Sequence, residues 1–218
     1  MTLEPKSLRE GGGILTPSIP WDIAMRNQRE RILLALAENC AEKTFVGTTI
    51  ADIVGTASVS RATFYKHFAN KTICFRAAAD DFLAELQHTV KEARANADSS
   101  ESDRIRSVAA ALLDQLAAKP DWTKLLLVEL PSVDPEIVPR YRRLIIDALE
   151  RELDVAASSD SAVADPEIAF GRFKVLLTGY VAAGEVERLP ALLPELVYIA
   201  LLPYMGQDSA LEQAQLTI

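Results

Sequence analysis

The sequence predicts an all-α protein in which a small N-terminal head of three helices stands on a larger C-terminal helical body. Apolar residues recur at helical spacing along most of the chain, and no segment alternates apolar and polar residues as a strand would. The chain has 218 residues, 49% of them apolar, which is enough to bury a substantial core. Residues 49–68 add the most specific observation, because they predict two short helices joined by a tight turn, a helix-turn-helix.

The head is predicted to begin with a supporting helix. Residues 1–20 contain three adjacent glycines and three prolines, and they are predicted to form a mobile arm. A helix follows from about Trp21 to Glu42. Its apolar stripe would support the two short helices and consists of Ile32, Leu33, Leu36, Ala37 and Cys40.

Hydroxyl side chains mark the starts of both short helices. A hydroxyl followed three residues later by a carboxylate can satisfy free backbone N–H groups reciprocally, so Thr49 is the predicted N-cap of the first helix. The polar run at 55–58 predicts a turn near Ser58. Ser60 is the predicted cap of the second helix, whose Phe64 and Phe68 lie one turn apart and face inward.

The other side chains of the second short helix are of types that bind DNA. Arginine can pair with the major-groove edge of guanine and threonine can contact a thymine methyl, while tyrosine, lysine and histidine suit phosphate oxygens. We therefore expect this helix to lie in a DNA groove and to make contacts through Arg61, Ala62, Thr63, Tyr65, Lys66 and His67.

The distribution of charge supports the same interpretation, although the whole chain carries a net charge of −8. Residues 26–71 contain seven basic and four acidic residues, whereas the chain from residue 72 onward contains 14 basic and 24 acidic residues. A basic head on an acidic body suits a protein that approaches DNA from one end.

The stretch from Thr49 to Phe68, followed by Asn70 and Lys71, resembles the TetR-type one-component transcriptional regulators, with a match over about residues 28–75. Two residues depart from the family pattern: Ser58 replaces the usual turn glycine, and Gly55 lies inside the first short helix. The resemblance implies a phosphate contact for Lys71, and we add Thr49 and Ser60 to the expected DNA contacts.

Further helices are predicted along the body. Asn70 is the predicted N-cap of a long connecting helix that ends near Asn96. After a polar linker at 97–103, breaks at prolines and polar loops separate five more helices. These are expected over about Asp103–Lys119, Asp121–Leu130 with its end at Pro131, Pro135–Val155, Ile168–Glu187 after Pro166, and from Pro190 or Pro194 to near Gly206.

The last two of these helices are apolar on more than one face, as Phe173, Leu177, Leu196 and Leu201 illustrate. The resemblance implies that they form a four-helix interface with a second subunit, and two heads would then read a palindrome. The alternative is that both helices fill the core of a monomer.

The sequence contains no set of residues that suggests a catalytic site. Only His67 and His88 could serve a nucleophile, and two histidines with Cys40 and Cys74 give no metal-ligand spacing. Both thiols are predicted to be core residues. We therefore expect no enzyme activity, no metal and no cofactor. The N-terminus has no signal-peptide core and no run of 18 apolar residues occurs, so a cytoplasmic protein is predicted.

Aromatic residues of the middle helices predict a ligand pocket in the body. The alternative is that they are ordinary core residues. In the family, an effector in the body changes the angle of the connecting helix and hence the spacing of the two DNA-reading helices. The candidate pocket residues are Trp122, Leu126, Tyr141, Phe170, Phe173 and Tyr180.

These expectations combine into a dimeric, ligand-responsive transcriptional regulator, a repressor that a small molecule releases from a palindromic operator. The predicted parts are the arm (1–20), the DNA-binding head (21–71), the effector and dimerisation body (72–206) and a tail (207–218). One alternative is a helical DNA-binding or adaptor protein that senses no small molecule. Another is a helical enzyme that retains only the head.

Overall fold

The computed structural model describes residues 21–97, 101–136, 138–139, 142–143 and 166–215. Within these ranges all regular structure is helical, so the predicted all-α fold is confirmed. The predicted arm and Tyr141 lie outside the described residues, as does most of the helix expected over Pro135–Val155. The elements are α1 (Trp21–Gly47), α2 (Ile50–Thr56), α3 (Arg61–His67), α4 (Lys71–Asn96), α5 (Glu101–Ala118), α6 (Pro120–Lys124), a π-helical segment (Leu125–Glu129), α7 (Leu130–Val133), α8 (Pro166–Ala182), a 3-10 segment (Val186–Leu192) and α9 (Leu193–Gln215).

The head is held together by a core that α1, α2, α3 and the start of α4 share. The stripe predicted on α1 is buried, as are Ile53 of α2 and both inward phenylalanines, Phe64 and Phe68. Cys40 and Cys74 are fully buried in this core. Burial raises the pKa of the Cys40 thiol to about 11, and it raises the pKa of Cys74 further, so both thiols stay protonated at neutral pH.

Helix α1 has a kink near its end, and residues 44–49, which lead from this kink into α2, are called here the turn between α1 and α2. This turn is strained at one residue. Thr44 interrupts the helical backbone with φ 66° and ψ 164°, a region that glycine alone adopts freely. The expected end of α1 near Glu42 therefore lies two residues before this break. The Thr48 N–H and hydroxyl both donate to the Thr44 carbonyl, at 3.1 and 2.8 Å, and hold the turn closed.

Replacing Thr44 with glycine is expected to raise the free energy of unfolding by about 1 kcal/mol. The strained conformation costs about 1–3 kcal/mol for a residue with a Cβ, and the greater freedom of glycine in the unfolded chain offsets about 0.5–1 kcal/mol of the gain. Urea unfolding measures the difference. Thr44→Ala keeps the Cβ and is the control: an equal gain from alanine would show that the backbone strain is not the cause.

Ser58 occupies the predicted turn between α2 and α3 with φ 52°, in the left-handed region. Its N–H donates to the carbonyl of Gly55 at 3.2 Å, and the next amide, of Val59, donates to Val54 at 3.1 Å. A serine in the left-handed conformation lowers the free energy of unfolding by about 1–2 kcal/mol, and the burial of apolar side chains in the core of the head offsets this loss. The turn thus forms without the glycine that the family usually places there.

The body is built around α4, α5 and the run from α6 to α7. Phe75, Phe82 and Leu86 of α4 share one buried core with Leu113 and Leu116 of α5 and with Leu125 of the π-helical segment. The helix predicted over Asp121–Leu130 does not end at Pro131 but continues to Val133. Proline has no N–H to donate to the preceding turn, and the chain widens into a π turn just before it, where the Leu130 N–H donates to the Leu125 carbonyl.

The last helices differ from the prediction in two ways. The helix that begins at Pro166 ends at Ala182 rather than near Glu187, and a 3-10 segment precedes α9. Gly206, with φ 77°, breaks the helical backbone of α9 at the predicted helix end, and residues 207–215 after it are helical too. Ala210 and Ala214 are buried there, and Ala210 joins a second small core with Ile105, Val197 and Leu201.

A single chain already buries part of the apolar surface that suggested a dimer. Leu196, Val197 and Leu201 of α9 are at most 7% exposed without a partner. Helix α8 remains more open, because Val175 is 75% exposed and Phe173, Leu176 and Leu177 are only partly covered. Among the described residues, no helix is long and apolar enough to cross a membrane.

Candidate nucleic-acid interface

The first short helix begins with the predicted reciprocal cap. The Thr49 hydroxyl accepts from the Asp52 N–H at 3.2 Å, and the Thr49 N–H donates to the Asp52 carboxylate at 2.8 Å. The same hydroxyl donates to that carboxylate at 2.6 Å, so the Thr49 hydrogen is already committed to the cap. Thr49 is exposed and retains its methyl group and one lone pair for an outside contact.

Asp52 links this cap to the end of α1. Lys43 donates to its carboxylate at 3.0 Å. Hydrogen bonds from Thr49 and Lys43 hold the pKa of Asp52 well below its ordinary value, and the same pair raises the pKa of Lys43. Both groups are therefore charged at neutral pH, and the Lys43 charge is committed to Asp52.

Helix α3 presents the face that the sequence predicts. The Ser60 hydroxyl accepts from the Thr63 N–H at 3.0 Å, which confirms Ser60 as the N-cap. Phe64 and Phe68 are buried and fix the rotation of this seven-residue helix. The opposite face consists of exposed side chains, those of Arg61, Ala62, Tyr65 and Lys66.

Two predicted contacts of α3 are less open than expected. The Thr63 hydroxyl lies 2.9 Å from that of Ser60, so each can satisfy the other. His67 is half-buried, and its Nε2 is buried without a hydrogen-bond partner. Burial, with smaller contributions from the charges of Arg29 and Lys66, lowers the pKa of His67. The neutral form of the imidazole is thus favoured in the free protein.

Lys71 at the first turn of α4 contacts the head itself. Asn70 caps α4 as predicted, its side chain accepting from the Ile73 N–H at 2.9 Å. The Lys71 ammonium donates to the carbonyls of Phe45 and Thr48, both at 2.6 Å, and lies 4.1 Å from the centroid of the Phe45 ring. Two of its three N–H groups are therefore used inside the protein. A phosphate contact for Lys71 stays a prediction.

The basic residues of the head divide into internal and external groups. Arg29 makes two hydrogen bonds to Asp81 of α4, at 2.6 and 3.1 Å, and its guanidinium lies 5.9 Å from the Phe68 ring centroid. Lys71 is also engaged and the exposed Lys43 is paired with Asp52, so the other exposed basic side chains of the head are those of Arg26, Arg31, Arg61 and Lys66. These four side chains are open to solvent.

Three polar residues that support the head were missed by the sequence analysis. Asn39 is buried under α2 and donates both to the Ala35 carbonyl, at 2.8 Å, and to the Thr56 hydroxyl, at 3.0 Å. From the body, Lys124 donates to the Ala41 carbonyl, and Glu129 accepts from the Phe45 N–H at 2.8 Å. No local pattern marks these residues, because each of them has a partner on another helix.

The predicted pocket residues lie in or beside the body core. Leu126 is buried, while the ring centroid of Trp122 lies 5.9 Å from that of Phe82 on α4. Phe173 packs against both apolar cores, and Tyr180 stacks with the Arg188 guanidinium at 5.6 Å. Helix α8, which also carries Phe170, packs against the run from α6 to the π-helical segment. The structure therefore brings one side of α8 together with Leu126.

An open groove of about 240 Å³ lies elsewhere, on the outer face of the head. None of the predicted pocket residues lines it. Its walls come from α1 and the turn after α2, and they consist of Arg31, Leu34, Ala35, Glu38, Thr56, Ala57 and Ser58.

The geometry defines an all-α protein whose N-terminal helix-turn-helix is rigidly capped and presents a basic, exposed helix face. Residues 32–78 match the family model described as bacterial regulatory proteins, tetR family. The head is thus similar to the DNA-binding domain of the tetR family, and the resemblance drawn from the sequence is confirmed over these residues.

Solved structures share the fold over most of the chain. The fatty acid degradation regulator FadR of Bacillus halodurans is 19% identical, with a TM-score of 0.64 over 83% of this chain and 96% of its own. FadR of Bacillus subtilis in complex with stearoyl-CoA is also 19% identical, with a TM-score of 0.61 over 81% and 98%. A tetR-family regulatory protein of Rhodococcus RHA1 is 21% identical, with a TM-score of 0.60 over 76% and 96%. No curated protein matches the sequence.

Proposed function

We propose that this protein is a dimeric, cytoplasmic repressor that binds a palindromic DNA operator through α3 and is released by a small molecule bound in its body. The observation that carries the proposal is the α3 face: Arg61, Tyr65 and Lys66 are exposed while Phe64 and Phe68 anchor the helix from behind. A capped, rigid helix with arginine at its first position suits base reading in the major groove. We assign residues 21–71 to DNA binding and 72–206 to effector binding and dimerisation.

A second copy of the chain would complete both the DNA site and the apolar body. One seven-residue α3 offers little contact area, whereas two related by a twofold axis read two half-sites a helical turn or a multiple apart. The open side of α8, with Val175 at its centre, supports an interface there. Leu196 and Val197 of α9 are already buried within one chain. We therefore expect α8 to contribute more surface to the dimer interface than α9 does.

The effector is proposed to be an elongated apolar molecule that lies between α8 and the run from α6 to the π-helical segment. This choice rests on the apolar character of Leu126 and Phe173 and on the B. subtilis FadR structure, which holds stearoyl-CoA. Linkage sets the size of the effect: an effector that weakens DNA binding a hundredfold must bind the DNA-bound form about 2.7 kcal/mol less tightly.

In-vitro selection of random duplex DNA by the purified protein tests the proposal. We expect a palindrome whose half-site spacing is a multiple of the helical turn, and fatty acyl thioesters should then release it. Failure of the folded dimer to enrich any duplex would refute the operator proposal. Enrichment without release by any small apolar molecule would instead favour a DNA-organising protein that senses no effector.

Arg61→Ala is expected to weaken binding to the selected operator by about 1–3 kcal/mol and to relax base preference at one position of each half-site. The reason is that a bidentate arginine contact to guanine discriminates against the wrong base by about that amount. Fluorescence anisotropy on operator and random duplexes measures both quantities.

Lys66→Ala provides the matched control on the same exposed face. A phosphate contact carries no sequence information, so this variant should weaken operator and random DNA alike and lower the salt slope by about one unit. If Arg61→Ala also lost affinity equally on both duplexes, Arg61 would be a phosphate contact and the base-reading role would fall.

A further inference from the structure

Two side chains of the body form hydrogen bonds with the backbone on either side of the strained residue Thr44. The Phe45 N–H, next to Thr44, donates to the Glu129 carboxylate of the π-helical segment at 2.8 Å. Three residues before Thr44, the Ala41 carbonyl accepts from Lys124 of α6. One continuous element of the body thus bonds the backbone on both sides of the strained residue.

The same turn sets where α2 begins. The Phe45 carbonyl and the Thr48 carbonyl share the Lys71 ammonium, and the Phe45 ring packs edge-on against Phe75 with centroids 4.9 Å apart. Thr49, the cap of α2, follows directly. A displacement at Phe45 would therefore pass to the start of α2 over four residues of chain.

Glu129 is well placed to transmit a change in the body. It is only 9% exposed, and it ends a π-helical segment, a rare type of turn that is frequent at functional sites. The same segment carries Leu126 and packs against α8, where the proposed effector would bind. A shift of the segment would withdraw the carboxylate from Phe45.

We propose that Glu129 is a positioning residue for DNA binding, which holds the turn between α1 and α2 and releases it when the body binds its effector. This inference rests on the proposed function and deepens it. It assigns a direct path from the body to α2 that needs no change in the angle of α4. Glu129 itself is buried in the body and does not touch DNA.

Substitutions at Glu129 test the inference on the duplex that the wild-type protein selects. Glu129→Ala removes the acceptor, and we expect at least tenfold weaker operator binding at a temperature where the variant is fully folded. Amide hydrogen exchange across residues 44–49 should become faster in the same variant. Glu129→Gln keeps an oxygen acceptor and should stay within threefold of the wild type in both measurements.

Glu185→Gln is the matched control, since Glu185 is a body carboxylate whose pair with Arg188 is exposed and does not contact the head. If Glu129→Ala unfolds the body, Glu129→Asp replaces it, because aspartate keeps the charge but withdraws the carboxylate by one methylene. Faster exchange with unchanged operator affinity, or unchanged exchange, would overturn the positioning role while the proposed function stands. A wild-type protein that selects no duplex would overturn the proposed function itself, and the inference with it.

Discussion

Replacing Phe64 with alanine is expected to destabilise the protein by about 3–5 kcal/mol and to abolish operator binding. Phe64 is fully buried, with its ring 5.5 Å from Tyr65 and 5.8 Å from Phe68 by centroids. Truncating a buried phenylalanine forfeits its transfer free energy and leaves a cavity. A helix of seven residues has little stability of its own, so α3 depends on this packing for its position.

Urea unfolding of the wild-type protein and of Phe64→Ala measures the loss in the free energy of unfolding. Tyr65→Phe, at the neighbouring residue, is the control. Tyr65 is 55% exposed, and the phenylalanine variant keeps the ring while removing the hydroxyl. Its free energy of unfolding should stay within about 0.5 kcal/mol of the wild type. Its affinity should fall on every duplex if the hydroxyl contacts a phosphate. A loss below 1 kcal/mol for Phe64→Ala would mean that α3 is held by something other than this ring.

Local signals predicted the head well because they are complete within a few residues of sequence. The caps at Thr49, Ser60 and Asn70 each need a hydroxyl or amide and an N–H two or three residues later. The inward pair of α3 needs only the helical period. Where the physics is local, sequence position alone fixes the partner, and these predictions were confirmed.

Features that depend on partners distant in sequence were missed or misplaced. The partner of Glu129 lies 84 residues away, and that of Asn39 is 17 residues away across the turn. The conformation of Thr44 follows from how α1 and α2 meet over the core, which no propensity at residue 44 encodes. Pro131 was expected to end a helix, but burial of Leu125 and Leu130 on both sides of the π turn carries the helix through it.

Lys71→Met is expected to lower the free energy of unfolding by about 3–6 kcal/mol, although the resemblance implied a phosphate contact for this residue. Methionine keeps the length and apolar packing of the stem but removes the ammonium. The carbonyls of Phe45 and Thr48 would then lose hydrogen bonds from a charged donor, each worth about 1.5–3 kcal/mol, together with the contact to the Phe45 ring. Urea unfolding and the salt dependence of operator binding are measured on the same protein.

The free energy of unfolding and the salt dependence of operator binding distinguish two roles of Lys71, a structural one in the turn and a contact with phosphate. If the Lys71 ammonium serves the turn alone, the variant loses stability and operator affinity while the slope of log affinity against log salt is unchanged. Lys66→Met, on the exposed face five residues earlier, should do the reverse: stability is kept and the slope falls by about one unit. A Lys71→Met protein with full stability and a reduced slope would place its ammonium on phosphate. The role of each charge is set by what lies within its reach, and the Lys71 ammonium lies 2.6 Å from each of two carbonyl oxygens.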